Sequence, residues 1–331
     1  MVSATTTRTA PVGRRHPTTM LDLITVEGLT SGVANIIMQL SLPPVGVGVN
    51  ESRVVSGSPR RYPMKRTRTT GTYLAVALLG TEDEKNQLRA EVAQMHKPVV
   101  STPDSPVRYS GNSPDLQLWV AACLFRFYLD QYTILYGDLT TAELDVLVRA
   151  GEPLATGVNV RPASWPQTWA EFTQYWEGMQ SHLSISAEVK RDFETLSNME
   201  FVLEAWGPLG RPFPLLLGKH YQFMTRANLP PRFRELMGWD WTDRDQRNFD
   251  RALARMRVLD RVGGRQLALG LLWSYMIDFR LRRRLGIPVL GTLRVTQIPI
   301  RDGGGVRRLA RRWWRQVQKG GVPRRFDFNR A

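Results

Sequence analysis

The sequence predicts an all-α protein organised around a single helical domain, and three observations carry that prediction. Threonine-x-x-glutamate boxes at Thr81–Glu84, Thr140–Glu143 and Thr168–Glu171 each open a segment with helical patterning. The stretch "DLQLWVAACLFRFYLDQYTILYG", from Asp115, is apolar over much of a helix circumference and suits a central position. Strand alternation is scarce. Its one candidate is "GTLRVTQIPI" (291–300), and Pro299 weakens it.

The elements follow in chain order. Residues 1–20 read as a mobile arm. They contain Arg14-Arg15, but Asp22 and Glu27 interrupt the hydrophobic run that a secretion signal requires. "SLPPVGVGV" reads as a proline-rich joint. A helix is expected from near Thr70 through "YLAVALL" to a break at Gly80. The Thr81 box opens the next, with acidic residues filling its first turn. Leu88, Val92 and Met95 fall on one face of it, and His96 lies beside that stripe. Lys97 precedes Pro98, which disfavours helix there. Ser113-Pro114-Asp115 is a cap followed by proline at the first helical position. "TTAELDVLVRAG", "TWAEFTQYWEGM", "SISAEVKRDFETL" and "TDRDQRNFDRALARMRVLDRV" read as further helices, separated by the joints "RPASWP", "GRPFP" and "NLPPRF".

Bulk properties bound the function. A chain of 331 residues, 42% of them apolar, can bury a large core. The single cysteine, Cys123, excludes an intrachain disulfide and any multi-cysteine zinc or iron–sulfur site. It lies in an apolar helix with no activating cation, so an inert buried thiol is expected. The most apolar run, "LALGLLWSYMI" (267–277), is too short to span a bilayer and abuts Asp278 and Arg280. The protein is expected in the cytoplasm. The net charge of +15 is unevenly placed. Residues 280–331 hold fourteen arginines and one lysine against Asp302 and Asp327, a net +13, which leaves +2 for the preceding 279 residues. The expected division is an arm at 1–20, a helical catalytic domain at 21–301 and a basic tail at 302–331.

Several segments, in order, resemble the MpaB/rubber-oxygenase family of haem-b oxygenases, in its actinobacterial branch. They are "GVANIIMQLSLPPVGVGVNES", "PMKRTRTTGTYLAVALLGT", "VAQMHKPV" and "YSGNSPDLQLWVAACL", all within 26–135, and later "LPPRFRELMGWDWTDRDQRNFDR" (229–251). The resemblance implies a globin-like helical core around haem b, with His96 as the proximal iron ligand. It maps the family's distal basic-x-x-basic-Thr element onto Lys65, Arg68 and Thr69. Rubber oxygenases carry arginine then lysine there, and this chain carries the reverse order, which keeps the sign of the field but changes its geometry. Glu51, in "GVNES", matches a carboxylate proposed as general base; taken alone it reads as a surface or salt-bridged acid.

These residue types suit the implied chemistry. A neutral imidazole is a strong axial donor to haem iron, and its other ring nitrogen usually donates to a carbonyl or carboxylate. A cation or hydroxyl on the open side stabilises the negative charge that dioxygen acquires, and Arg68 and Thr69 are of those types. Haem propionates need cations, for which Arg66 or Lys65 could serve. Taken alone, Lys65, Arg66 and Arg68 also fit a solvated helix start, and Thr69 also fits a helix cap. Tyr109 and Trp119 are most simply core residues, and either could border a haem edge. His16 falls in the arm, and His182 and His220 have no partner at metal-ligand spacing.

The resulting expectation is an oxidoreductase that uses dioxygen on a hydrophobic, isoprenoid- or lipid-like small molecule. Two rival readings remain open. One is a catalytically silent haem-binding protein. The other is an anionic-surface binding module working through the arginine-rich tail, whose "RRWWRQ" could stack on bases or sit at a lipid interface. A near-neutral body without a recognition motif disfavours nucleic acid and leaves peripheral contact with anionic membrane.

Overall fold

Five of the described helices in this chain start where a threonine or serine side chain accepts from one of the first free amides, at Thr81, Thr140, Thr168, Ser186 and Thr242. The computed structural model describes residues 16–52, 63–206 and 210–290. Residues 1–15, the strand candidate at 291–300 and the tail at 302–331 lie outside the described residues. In chain order the helices are α1 (Glu27–Thr30), α2 (Gly32–Leu40), α3 (Pro43–Asn50), α4 (Pro63–Leu79) and α5 (Glu82–His96). Then come α6 (Pro114–Tyr136), α7 (Thr141–Ala150), α8 (Pro153–Thr156), α9 (Trp169–Met179) and α10 (Ala187–Ser197). The last five are α11 (Glu200–Trp206), α12 (Lys219–Ala227), α13 (Pro231–Met237), α14 (Asp243–Leu259) and α15 (Arg265–Arg284). Among the described residues the nearest thing to a sheet is one isolated antiparallel bridge, Val100 to Ser110. The protein is all-α.

The boxes read from sequence form. Thr81 accepts from the Glu84 amide while Glu84 accepts from the Thr81 amide, and Thr140 pairs with Glu143 in the same way. At Thr168 only half the box closes, because the Glu171 carboxylate accepts from the Gln167 amide instead. Thr242 with Asp245 makes a further box at the start of α14. Two boundaries differ from expectation. The Pro43-Pro44 joint is itself the first turn of α3, which leaves α2 at a bend of 107°. Helix α4 begins at Pro63, well before Thr70, so Thr69 is a helix-interior residue and not a cap.

α6 is central, as its composition requires. It packs against α2, α8 and α14. It buries Trp119, Phe125 and Leu135 completely, and side chains of this size contribute about 1.5–3 kcal/mol each on burial. Phe125 sits edge-on to Phe172, ring centroids 4.8 Å apart, and Phe172 lies between Trp165 and Trp176 in one aromatic cluster. Cys123 is buried and free in this core, and burial holds its thiol pKa well above the ordinary value.

α15 packs along α4. Gly71 makes the approach possible, because a Cβ there would run into the Tyr275 ring. Beyond α15 the chain is pinned to α5. Glu91 accepts from the amides of Val289 at 3.1 Å and Leu290 at 3.3 Å.

Candidate active site

α3, α4, α5 and α6 enclose a cavity of about 260 Å³. α5 and α6 line it mainly with apolar side chains, including Val92, Met95, Val120 and Leu124. α4 supplies the polar wall. Lys65, Arg66, Thr69, Thr70 and Tyr73 all line the cavity, and their spacing is that of one helical face. Among the described lining residues there are two cations, Lys65 and Arg66, and no carboxylate.

His96 is the last residue of α5 and lines this cavity. Burial, and next the Arg66 charge, lower its pKa from 6.5 to about 4; hydrogen bonding to the Gly111 backbone acts the other way. The imidazole is therefore neutral at ordinary pH. Its Nδ1 lies 3.5 Å from the Gln117 amide nitrogen, which itself donates to the Gly111 carbonyl at 2.7 Å. Gln117 is buried, and its oxygen accepts from the Asn159 amide at 2.6 Å. Nδ1 thus faces the Gln117–Gly111 side, which leaves Nε2 as the nitrogen available to the cavity.

The segment after α5 holds the ring in place. Ser101 donates to the Tyr109 carbonyl and Gly111 donates to the Val99 carbonyl, folding 97–111 back beneath the helix end. Gly111 then lies against His96, where an added Cβ would stand 3.1 Å from the His96 Cβ. Sequence reasoning missed Gln117. Its signal was a glutamine inside an otherwise apolar helical turn, which when buried must find partners.

The structure separates the expected cations. Lys65 is buried beside the cavity, and burial lowers its pKa. Arg66 is partly buried on the cavity wall, and burial lowers its pKa as well. Arg68 does not line the cavity. Its guanidinium donates to Asp278 of α15 at 3.0 Å and to the Val289 carbonyl at 3.1 Å. Two residues along an α-helix are about 200° apart, so Arg66 and Arg68 look in nearly opposite directions. Thr69 lines the cavity while its hydroxyl donates to the Arg66 carbonyl at 3.1 Å.

The other expected residues divide in the same way. Tyr109 lines the cavity, and its phenol donates to Glu51 at 2.9 Å. Glu51 also accepts from Ser105 at 2.5 Å and is not itself a lining residue. It holds Tyr109 in place from behind. Trp119 is fully buried one layer back, stacked on Trp176 at 5.2 Å, and its Nε1 donates to the Gln39 carbonyl at 3.0 Å. Its own side chain does not line the cavity, although Gln39, which it bonds, does.

These residues fit a haem. A buried neutral imidazole on the cavity wall is the kind of donor a haem iron takes. Aliphatic walls suit a flat macrocycle, and two cations on a described lining that contains no carboxylate suit anionic propionates.

Comparison with known proteins shows the family. Residues 26–258 match the family described as ER-bound oxygenase mpaB/B'/rubber oxygenase, catalytic domain. Two mycobacterial proteins described as uncharacterized, one from Mycobacterium bovis and one from Mycobacterium tuberculosis, are each 39% identical over 255 residues. Those alignments cover 76% of this chain and 96% of each relative. No solved structure matches significantly.

Proposed function

This chain belongs to the mpaB/rubber-oxygenase family of oxygenase catalytic domains, and on that footing we propose that it is a haem-b-dependent oxygenase acting with dioxygen on a hydrophobic, isoprenoid- or lipid-like substrate. The observation that carries the reading is His96, a buried neutral imidazole on a cavity whose described lining holds cations and no acid.

In this reading His96 would ligate the iron through Nε2, with the Gly111 backbone carbonyl accepting from the other ring nitrogen and so fixing the tautomer, and Gln117 packed beside it. Arg66 and Lys65, both on the cavity wall, would meet the propionate carboxylates. Thr70 places a hydroxyl on the same wall, of the type that can donate to developing negative charge, while the Thr69 proton is held by the Arg66 carbonyl. When bound, the haem would supply redox-active iron for chemistry with dioxygen. The aliphatic side chains of α5 and α6 keep water out and hold an apolar substrate by burial. Arg68, clamped to α15, supports the α4 wall from outside.

The test is a visible spectrum of the purified protein, oxidised and reduced, with a pyridine haemochrome assay. The expected result is haem b near one per chain, lost in His96→Ala. An unchanged spectrum in that variant would overturn the ligand assignment. A protein that neither carries haem nor takes up haemin would overturn the cofactor. Oxygen uptake by the reduced protein on addition of alkenes separates an oxygenase from a silent haem carrier.

A further inference from the structure

α15 is amphipathic in an unusual sense. One face, with Ala268, Leu272, Met276 and Phe279, is buried in the body. The other is also apolar and stands in solvent: Leu267, Leu271, Trp273, Ile277, Leu281 and Leu285 are each 40–65% exposed. At about 100° per residue these six fall within roughly 160° of one another, so they form an apolar ridge along the helix, with Gly270, Ser274, Asp278 and Arg284 set among them in the same arc. An exposed apolar ridge of this length on a soluble body marks an interaction surface.

Three features identify the partner. First, the ridge is edged by cations. Ile277 and Leu281 share one shallow depression with Arg280, Arg283 and Arg284. Arg280 and Arg283 reach it while paired with Glu84 and Asp83, and Arg284 has no ion pair among the described residues. Second, the sequence that follows is strongly basic, with ten arginines and one lysine against two aspartates in 291–331. Third, apolar side chains with a tryptophan, flanked by arginines, are what an interfacial helix offers to acyl chains and headgroup phosphates together. A second protein copy would have to bring acidic groups to the same spot.

We propose that the exposed face of α15 is a docking surface for an anionic phospholipid bilayer, with the ridge inserting among acyl chains and the arginines meeting headgroup phosphates. The ridge ends at Leu285, five residues before Leu290, which lines the cavity. The docked face and the candidate site are thus joined by a short length of chain. Docking is independent of the haem reading, since nothing in it requires a cofactor.

The experiment is flotation of the full chain with vesicles of phosphatidylcholine alone and with 30% phosphatidylglycerol. The expected result is binding to the anionic vesicles, falling steeply with salt, and weakened about tenfold or more by Ile277→Glu with Leu281→Glu. Both positions are exposed, so an unchanged melting temperature verifies the fold. A second readout is Leu281→Cys carrying an environment-sensitive dye, which the buried Cys123 leaves as the accessible thiol; its emission should shift to the blue on anionic vesicles. Binding that survives the double substitution but not removal of 302–331 would overturn the proposal and assign the contact to the tail. Equal binding to neutral vesicles would overturn its charge component. A concentration-dependent dimer abolished by the double substitution, without vesicle binding, would reassign the ridge to self-association.

Discussion

The two walls of the cavity carry opposite kinds of base. On α5, burial and a neighbouring cation keep His96 neutral and so able to donate a lone pair. On α4, Lys65 and Arg66 stay on a wall that holds no carboxylate, against the desolvation that lowers both pKa values. The two are linked, because the Arg66 charge is one reason that His96 does not protonate. Under the proposed function, the two walls would serve the two ends of one ligand, the metal at His96 and the anions at Lys65 and Arg66.

The largest test of this contrast is acid. Native His96 stays neutral down to about pH 4, whereas in the unfolded chain it protonates near 6.5. Between these values the unfolded state binds more protons, so its contribution to stability is complete above about pH 6.5 and is lost as pH falls towards 4. Denaturant titrations of the cofactor-free protein should show a loss on the order of 2 kcal/mol across that window, partial exposure included. His96→Asn should flatten it.

Arg68→Ala comes next. It removes the bonds to Asp278 and to the Val289 carbonyl, and chemical denaturation should show about 2 kcal/mol of destabilisation. Haem uptake should change little, since the side chain does not face the cavity. Arg66→Ala should do the reverse. Haemin titration should weaken about tenfold with the melting temperature held or raised, and an NMR titration should find the His96 pKa moved upward. If Arg66→Ala and Arg68→Ala behave alike, the division of α4 into two faces is wrong. The smallest effect is Thr81→Ala, which opens one capping box at the far end of α5. It should cost about 1 kcal/mol of stability and leave the His96 titration unmoved.

Much of the helical skeleton was legible because it is local. Thr81, Thr140 and Pro98 act on backbone groups within a few residues, so their effects can be read without knowing what lies opposite; Ser113, expected as a cap, makes no side-chain capping bond, and Pro114 at the first helical position marks that start instead. The start of α4 was harder. Four threonines in "TRTTGT" lower its intrinsic helix propensity, and tertiary packing against α15 overrides them. That misplaced boundary also hid the orientation of its cations. Once the helical register runs back to Pro63, Lys65, Arg66, Thr69, Thr70 and Tyr73 fall on one face and Arg68 falls on the other.

By itself the sequence determined an all-α chain, its capping pattern, the family resemblance and a histidine at the end of α5, since all of these rest on spacing along the chain. Only the tertiary structure decided what holds and tunes that histidine, through Gln117 and Gly111 from the next helix and its approach. It also decided that Arg68 is drawn away by Asp278, 210 residues later, and that one side of α15 is left apolar in solvent. Charge pairing, burial and exposure are properties of neighbours in space, and those neighbours come together only when the helices pack.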